Sequence, residues 1–462
     1  MKFKVNQNLN KDYNLFFIPF FLLLFFDIIE HNDSISYIDN YSRRPFLYPS
    51  LIDIFQFFSL EYFRFFLKIF QILIGSFSVI FFLKFFKKKF NPENFVIYII
   101  YLILIIPFFN FSMPLANSIL SESIAYPFFL FFLVYFLRFI FEEFDKKVFL
   151  KLTIFTFFLI SSRAQFYFLL PLIAFFLIVK THKYNKIFFV SALQIILLYL
   201  AISICQITYN KIKFSHFKKI NNASFQFIAI AHFISNENDF AKLDVYPHKE
   251  IINHVNKYLI NEHKYEINKH ISSQDGQDNK NLISLIKNLR KNYNKYYRFY
   301  IPIIHAYEYE LPKLLTLNQD KIENINILNR EVFKIAISLI AESPKEYILL
   351  YLSSVAFGAG GYFLEAENFK GLFMNLGFSG SYLLLIHIFI LIFYTAKFVT
   401  GKILVKSESY LLFSAFFNIC NISFVCFFEP PYDRYIFYTN LIFLIFLINK
   451  IFEKSGHTSN NK

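Results

Sequence analysis

At 462 residues, 56% of them hydrophobic and 22% aromatic, the chain carries more apolar surface than one water-soluble core can bury. Its formal net charge of +14 sits in short lysine clusters between apolar runs, the pattern of the positive-inside rule, which argues against nucleic acid as a partner. Cys205, Cys420 and Cys426 lie in apolar stretches without metal-ligand spacing, so neither a zinc site nor a disulfide framework is expected.

The fold class read from this is an all-α polytopic membrane protein. The first apolar run, 14–30, follows a lysine-containing N-terminus and is not followed by a small-x-small cleavage site, so it is read as a retained first span. Further runs near the ~20 residues that a crossing needs fall at 65–86, 94–111, 120–141, 148–162, 164–180, 187–207, 346–360, 381–398, 407–427 and 434–452. They predict about nine to eleven crossings, the spread arising at "SSRAQ", where 148–180 is either two short helices or one broken one.

Three regions follow: a transmembrane scaffold over 1–208, a hydrophilic insertion over 209–344, and C-terminal transmembrane helices with a short tail over 345–462. The insertion holds seven of the 11 histidines, but His248, His254, His263 and His270 do not repeat at the i, i+4 spacing that puts two ligands on one helix face. Lysines at 87–89, 146–147, 180–186 and 397–406 are placed in the cytoplasm. Seven crossings before it put the insertion outside, whereas cytoplasmic lysines at 397–406 require 346–360 to begin inside, so either 148–180 crosses once or the insertion contains a further membrane-embedded helix; the insertion is read as extracytoplasmic, on the same face as the polar loops.

Four polar features fall on the expected outer face. The first loop, "HNDSISYIDNYSRRPFLYPS", brings Asp33, Tyr37, Asp39, Arg43 and Arg44; "NSILSESIAYPFF" brings Glu122 to the head of a span; Arg163 stands at the break in 148–180; Arg434 and Tyr435 precede the last span. Ionisable groups at membrane depth are costly unless paired or hydrated, so they tend to line a cavity or pathway. A loop aspartate can also be merely solvated, an arginine at a helix end can snorkel to headgroups, and Glu122 can cap its helix.

The order of these features, "DSISYIDN" with "RRPFLYPSL", then "SESIAYPFFLFFLVYFLRF", a short span ending in Arg, "AISLIAESPKEYILLYL" and "DRYIFYTNLIFLIFL", resembles the membrane-integral GT-C glycosyltransferases. Among these it is most similar to bacterial relatives of the protein mannosyltransferases and lipid A aminoarabinose transferases, over about 10–200 and 330–452. The resemblance implies a GT-C-like bundle, a polyprenyl-phosphate-linked sugar as donor, and transfer on the extracytoplasmic side to a lipid, glycan or protein hydroxyl. It also implies a first-loop aspartate as base, matched here by Asp33 with Asp39 in reserve; the common Asp-Glu pair of the family is Asp-Ser here.

Transfer from a lipid phosphate needs a base on the acceptor and positive charge on the departing phosphate. Guanidinium groups suit the second task, which points to Arg163 and Arg434 together with Arg43 or Arg44. Tyr37 and Tyr435 are candidates for contacts to the sugar, and Glu122 for a positioning residue or cap. No cofactor is required, although Asp33, Asp39 and Glu122 are the carboxylates that a divalent cation would use. Rival readings are a transporter or flippase of lipid-linked intermediates, for which no internal repeat is visible, and an O-antigen ligase or polymerase, for which Arg290, Arg298 and His305 would be the residues of interest.

Overall fold

The computed structural model describes residues 15–38, 44–109, 114–181, 185–215, 223–243, 248–263, 295–296, 298–308, 311, 322–358, 380–430 and 433–453. Among them the regular structure is helical, with one isolated parallel bridge between Ile29 and Ser118. Five stretches among the described residues are long and apolar enough to cross a membrane: Phe63–Phe90, Glu122–Phe141, Ala164–Thr181, Phe188–Phe214 and Lys406–Phe428. That is the signature of an integral α-helical membrane protein. Asn94–Phe109, Leu385–Val399 and Phe437–Ile451 are apolar but shorter.

The described residues divide into two compact units, Met1–Lys219 with Ile392–Ala415 and Tyr438–Lys462, and Ile220–Leu391 with Phe416–Phe437. The first contains α1 (Ile18–Leu22), α2 (Asn32–Ile38), α3 (Leu47–Phe58), α4 (Phe63–Phe90), α5 (Asn94–Phe109), α6 (Glu122–Phe141), α7 (Lys146–Ser162), α8 (Leu169–Thr181) and α9 (Asn185–Phe214).

The run expected as a first span is not one continuous helix. Helix α1 gives way to a single 3-10 turn, Leu23–Phe25, and Phe26 is extended (φ −86°, ψ 151°). The carbonyls released by the break find dedicated donors: Asn117 Nδ2 reaches Leu23 O at 3.0 Å and Phe26 O at 3.1 Å, and Lys68 Nζ reaches Leu24 O at 2.8 Å and Phe26 O at 2.6 Å. A chain can unwind in an apolar setting only where such partners exist.

Helices α4 and α6 run parallel, Phe81 packing against Phe131 and Tyr135 with ring centroids 5.3 and 5.9 Å apart. Helix α4 ends at Asn91 in the left-handed region (φ 47°) after Lys87, Lys88 and Lys89, which favour the negative end of the helix dipole. Helix α7 folds back along α6, with Phe128 stacked on Phe158 at 4.9 Å and Tyr135 on Phe155 at 5.5 Å. Its start is capped by Asp145, which accepts from Lys147 N at 2.8 Å. At 148–180 the structure makes two helices: Arg163 is extended, and a 3-10 turn, Ala164–Phe168, leads into α8. At the far end of the α6–α7 hairpin Glu142 pairs with Lys89 and Arg138, each at 2.9 Å, while Lys180 donates to the Phe139 and Glu142 carbonyls.

The second unit contains α10 (Ala223–Ile234), α11 (Glu237–Ala241), α12 (His248–His263), α13 (Ile322–Glu342) and α14 (Pro344–Gly358). Its core runs from Phe225 to Leu350, so the polar stretch of the sequence has an apolar interior of its own. A capping box at Asn236 and Asp239 starts α11, and Asp239 also accepts from Ser343 Oγ at 2.9 Å. His248 faces Glu331 at 3.2 Å, and His232 Nδ1 meets Tyr307 OH at 3.0 Å. Helices α15 (Gly380–Val399), α16 (Lys406–Phe428) and α17 (Asp433–Ile451) close the described chain.

Candidate functional site

The polar residues of the first loop are held by the stretch that leads into α6. Ile29 N donates to Asn117 O at 2.8 Å and Ile119 N to Ile29 O at 3.2 Å, and this short bridge sets the register. Ser34 Oγ, itself the acceptor for His31 N at 2.8 Å, donates to Ile119 O at 2.8 Å. His31 Nε2 lies 3.1 Å from Ser118 Oγ. Helix α2 is thereby fixed on the segment that ends at Ser121, with Asp33 in its first turn.

A continuous polar chain then joins five of the residues singled out from the sequence. Arg44 donates through Nη2 to Asp33 Oδ1 at 2.8 Å, through Nε to Ser36 Oγ at 2.8 Å and through Nη1 to Tyr37 OH at 3.5 Å. Its guanidinium carbon lies 4.7 Å from the Tyr37 ring centroid. Tyr37 OH is 2.9 Å from Ser121 Oγ, Ser121 Oγ donates to Glu122 Oε2 at 3.2 Å, and Arg163 Nη1 donates to Ser121 Oγ at 3.3 Å. Arg163 also pairs with Glu122 and donates from Nε to Gln165 Oε1 at 3.1 Å. The Ser121 hydroxyl has one proton; giving it to Glu122 leaves its lone pairs for Tyr37 and Arg163, which fixes the direction of the chain.

The two ends of this chain differ. The Asp33 and Arg44 side chains are 31% and 29% exposed, whereas those of Glu122 and Arg163 are 1% and 9% exposed. One end therefore meets solvent and the other is enclosed. Beneath the chain Tyr37 packs edge-on to Tyr48 at 5.2 Å, and Gln71 Nε2 donates to Tyr48 OH and Ser118 O, both at 3.1 Å. Burial pushes the Tyr48 phenol far up against the Gln71 hydrogen bond, so it is neutral throughout the physiological range. Ile52, Phe63, Leu67, Ile119, Leu120 and Ile124 fill in below.

Glu122 occupies the first position of α6, at the positive end of the helix dipole, and its carboxylate goes to Arg163 and Ser121. Asp39 and Arg43 lie outside the described residues. Arg434 and Tyr435 fall in the first turn of α17, with side chains outside the described set. Among the described residues no three His, Cys, Asp or Glu side chains form a metal-ligating group.

Sequence reasoning passed over Ser36, Gln71, Asn117, Ser121 and Gln165. Gln71 and Lys68 carried a readable signal, being polar side chains inside an apolar span; Ser121 acquires meaning only from its neighbours in space. No known protein family, curated protein or solved structure matches the chain.

Proposed function

We propose that this protein is an integral-membrane glycosyltransferase with a GT-C-like scaffold, moving a sugar from a polyprenyl-phosphate-linked donor to an acceptor hydroxyl on the extracytoplasmic side. The observation that carries the reading is the Asp33–Arg44 pair at 2.8 Å, a partly exposed carboxylate and guanidinium at the open end of an otherwise enclosed polar chain. Asp33 takes the proton of the acceptor hydroxyl, the acceptor oxygen attacks the anomeric carbon, and the C–O bond to the lipid phosphate breaks with its electron pair on the phosphate. A phosphate leaving group departs as an anion and needs no protonation, so one carboxylate suffices. Arg44 has the exposure to meet that anion, and the family resemblance adds Arg43 and Arg434. Arg163, engaged by Glu122, holds Ser121 and through it Tyr37, so it acts as a positioning residue. Tyr37 and Tyr435 are assigned to the sugar or acceptor.

Steady-state kinetics separate these roles. Asp33→Asn lowers kcat at unchanged KM for the donor, and Arg44→Gln raises that KM. The reverse split would remove the assignment of base and phosphate ligand.

A further inference from the structure

We infer that α3 and the corner after it lie in the headgroup–acyl boundary of the membrane and hold the Asp33–Arg44 pair at that depth. The inference rests on the chain's being a membrane protein, not on the transferase reading. Helix α3 has 12 residues, ~18 Å at 1.5 Å per residue, well short of the ~30 Å hydrocarbon core. It is nevertheless apolar on two sides. Tyr48 and Ile52, both 0% exposed, face the protein, while Ile54, Phe57 and Phe58, at the i, i+3, i+4 spacing of one helical stripe, are 51%, 87% and 73% exposed. Leu60 and Tyr62 extend that surface at 77% and 55% exposure.

Two spans fix the depth independently. Only residues 59–62 separate α3 from Phe63, where the 28-residue α4 begins. On the other side Asp53 of α3 pairs with Lys213 at 2.6 Å, one residue from the end of α9. Gln206 of α9 binds both ends of the segment before α3, accepting from Phe46 N at 3.0 Å and donating to Arg44 O at 3.3 Å. A helix tied to the start of one span and the end of another lies level with the membrane surface. Its exposed stripe continues into the exposed apolar side of α4, a helix long and apolar enough to cross a membrane, where Phe65, Phe66 and Phe77 are 48%, 42% and 56% exposed. That continuity names the occupant of the stripe as the lipid leaflet, with aromatic rings at the depth such rings favour.

The chain has no tryptophan, so a single introduced one reports without background from its kind. Phe58→Trp and Phe57→Trp, both at exposed positions, are reconstituted in phosphatidylcholine vesicles carrying bromine at defined acyl positions. Tyr199→Trp on α9 serves as the deep reference: Tyr199 is 49% exposed and lies 14 positions before Lys213 on α9, ~21 Å of helix. The expected result is blue-shifted emission at 57 and 58, quenched most by bromine nearest the glycerol backbone, with Tyr199→Trp quenched most by bromine near the chain ends. Emission of a water-exposed indole at 57 and 58 overturns the inference. So does blue-shifted emission that bromolipid fails to quench, since a second copy of the chain or another protein then covers the stripe.

Discussion

Arg163 and Glu122 close a buried ion pair at the open end of the α6–α7 hairpin, joining the extended residue that follows one helix to the first residue of the other, with Ser121 accepting from the same guanidinium at 3.3 Å. Because both side chains are almost fully enclosed, each charge compensates the burial of the other. Arg163→Met or Glu122→Leu alone is expected to destabilise the protein by ~3–5 kcal/mol, the usual cost of stranding one member of a buried pair. The double variant is expected to lose less than either single one, read as thermal unfolding in detergent. Additive losses would mean that the two side chains act independently.

Ser121 is the branch point between the enclosed and open halves. Ser121→Ala removes the acceptor of Tyr37 OH and of one Arg163 N–H, at ~1–3 kcal/mol for buried groups left unmade. Because Tyr37 in turn accepts from Arg44, transfer is expected to fall more than stability does. A loss of stability with transfer per folded molecule unchanged contradicts a positioning role for this chain.

Gly75 sits where α4 meets the ring of Phe108: a Cβ built there lies 2.6 and 2.8 Å from two of its carbons. Phe108 has little room to yield, being 0% exposed and packed on Phe20 at 5.2 Å and Tyr126 at 5.4 Å. Gly75→Ala is expected to cost ~1–3 kcal/mol through overpacking, and Phe108→Leu in the same chain to recover part of it. An unchanged melting temperature for Gly75→Ala would show that the helices separate freely at this point.

Much of this architecture is legible in the sequence because span length and apolar content are local properties: the stretches that became α4, α6, α8, α9 and α16 declare themselves by composition. Asp33, Tyr37, Arg44, Glu122 and Arg163 stand out for the same reason, as polar groups at the ends of apolar runs. What composition hides is anything decided by a distant donor. The break after Phe25 depends on Asn117 and Lys68, far along the chain, so the first run reads as an uninterrupted span. Helix α3 is missing from the spans read off the sequence because its 12 residues fall short of a crossing, and the α6–α7 ion pair needs the hairpin before it can be seen.

At the other end of that hairpin, burial by itself would push the Glu142 carboxyl up, but hydrogen bonds from Arg138 and Lys89 hold it below the usual carboxylate range. A carboxylate lowered in the folded state contributes stability above its unfolded pKa and loses it as pH falls through the folded value. The acid side of a melting-temperature profile should therefore drop less steeply for Glu142→Gln than for the parent protein, the two differing most at neutral pH and converging in acid. Parallel profiles would show that the pairing with Lys89 and Arg138 adds nothing.

The most direct test of the central claim is transfer of radiolabelled sugar from a polyprenyl-phosphate donor by the purified protein in proteoliposomes, comparing the parent chain with Asp33→Asn at matched amounts of folded protein and matched donor binding. Label is expected to move to an acceptor hydroxyl with the parent chain, and Asp33→Asn to lose at least ~100-fold, the low end of what a positioned base contributes. Full transfer by Asp33→Asn would contradict its role as base, and no transfer by the parent chain across a panel of lipid-phosphate sugars would contradict the transferase itself.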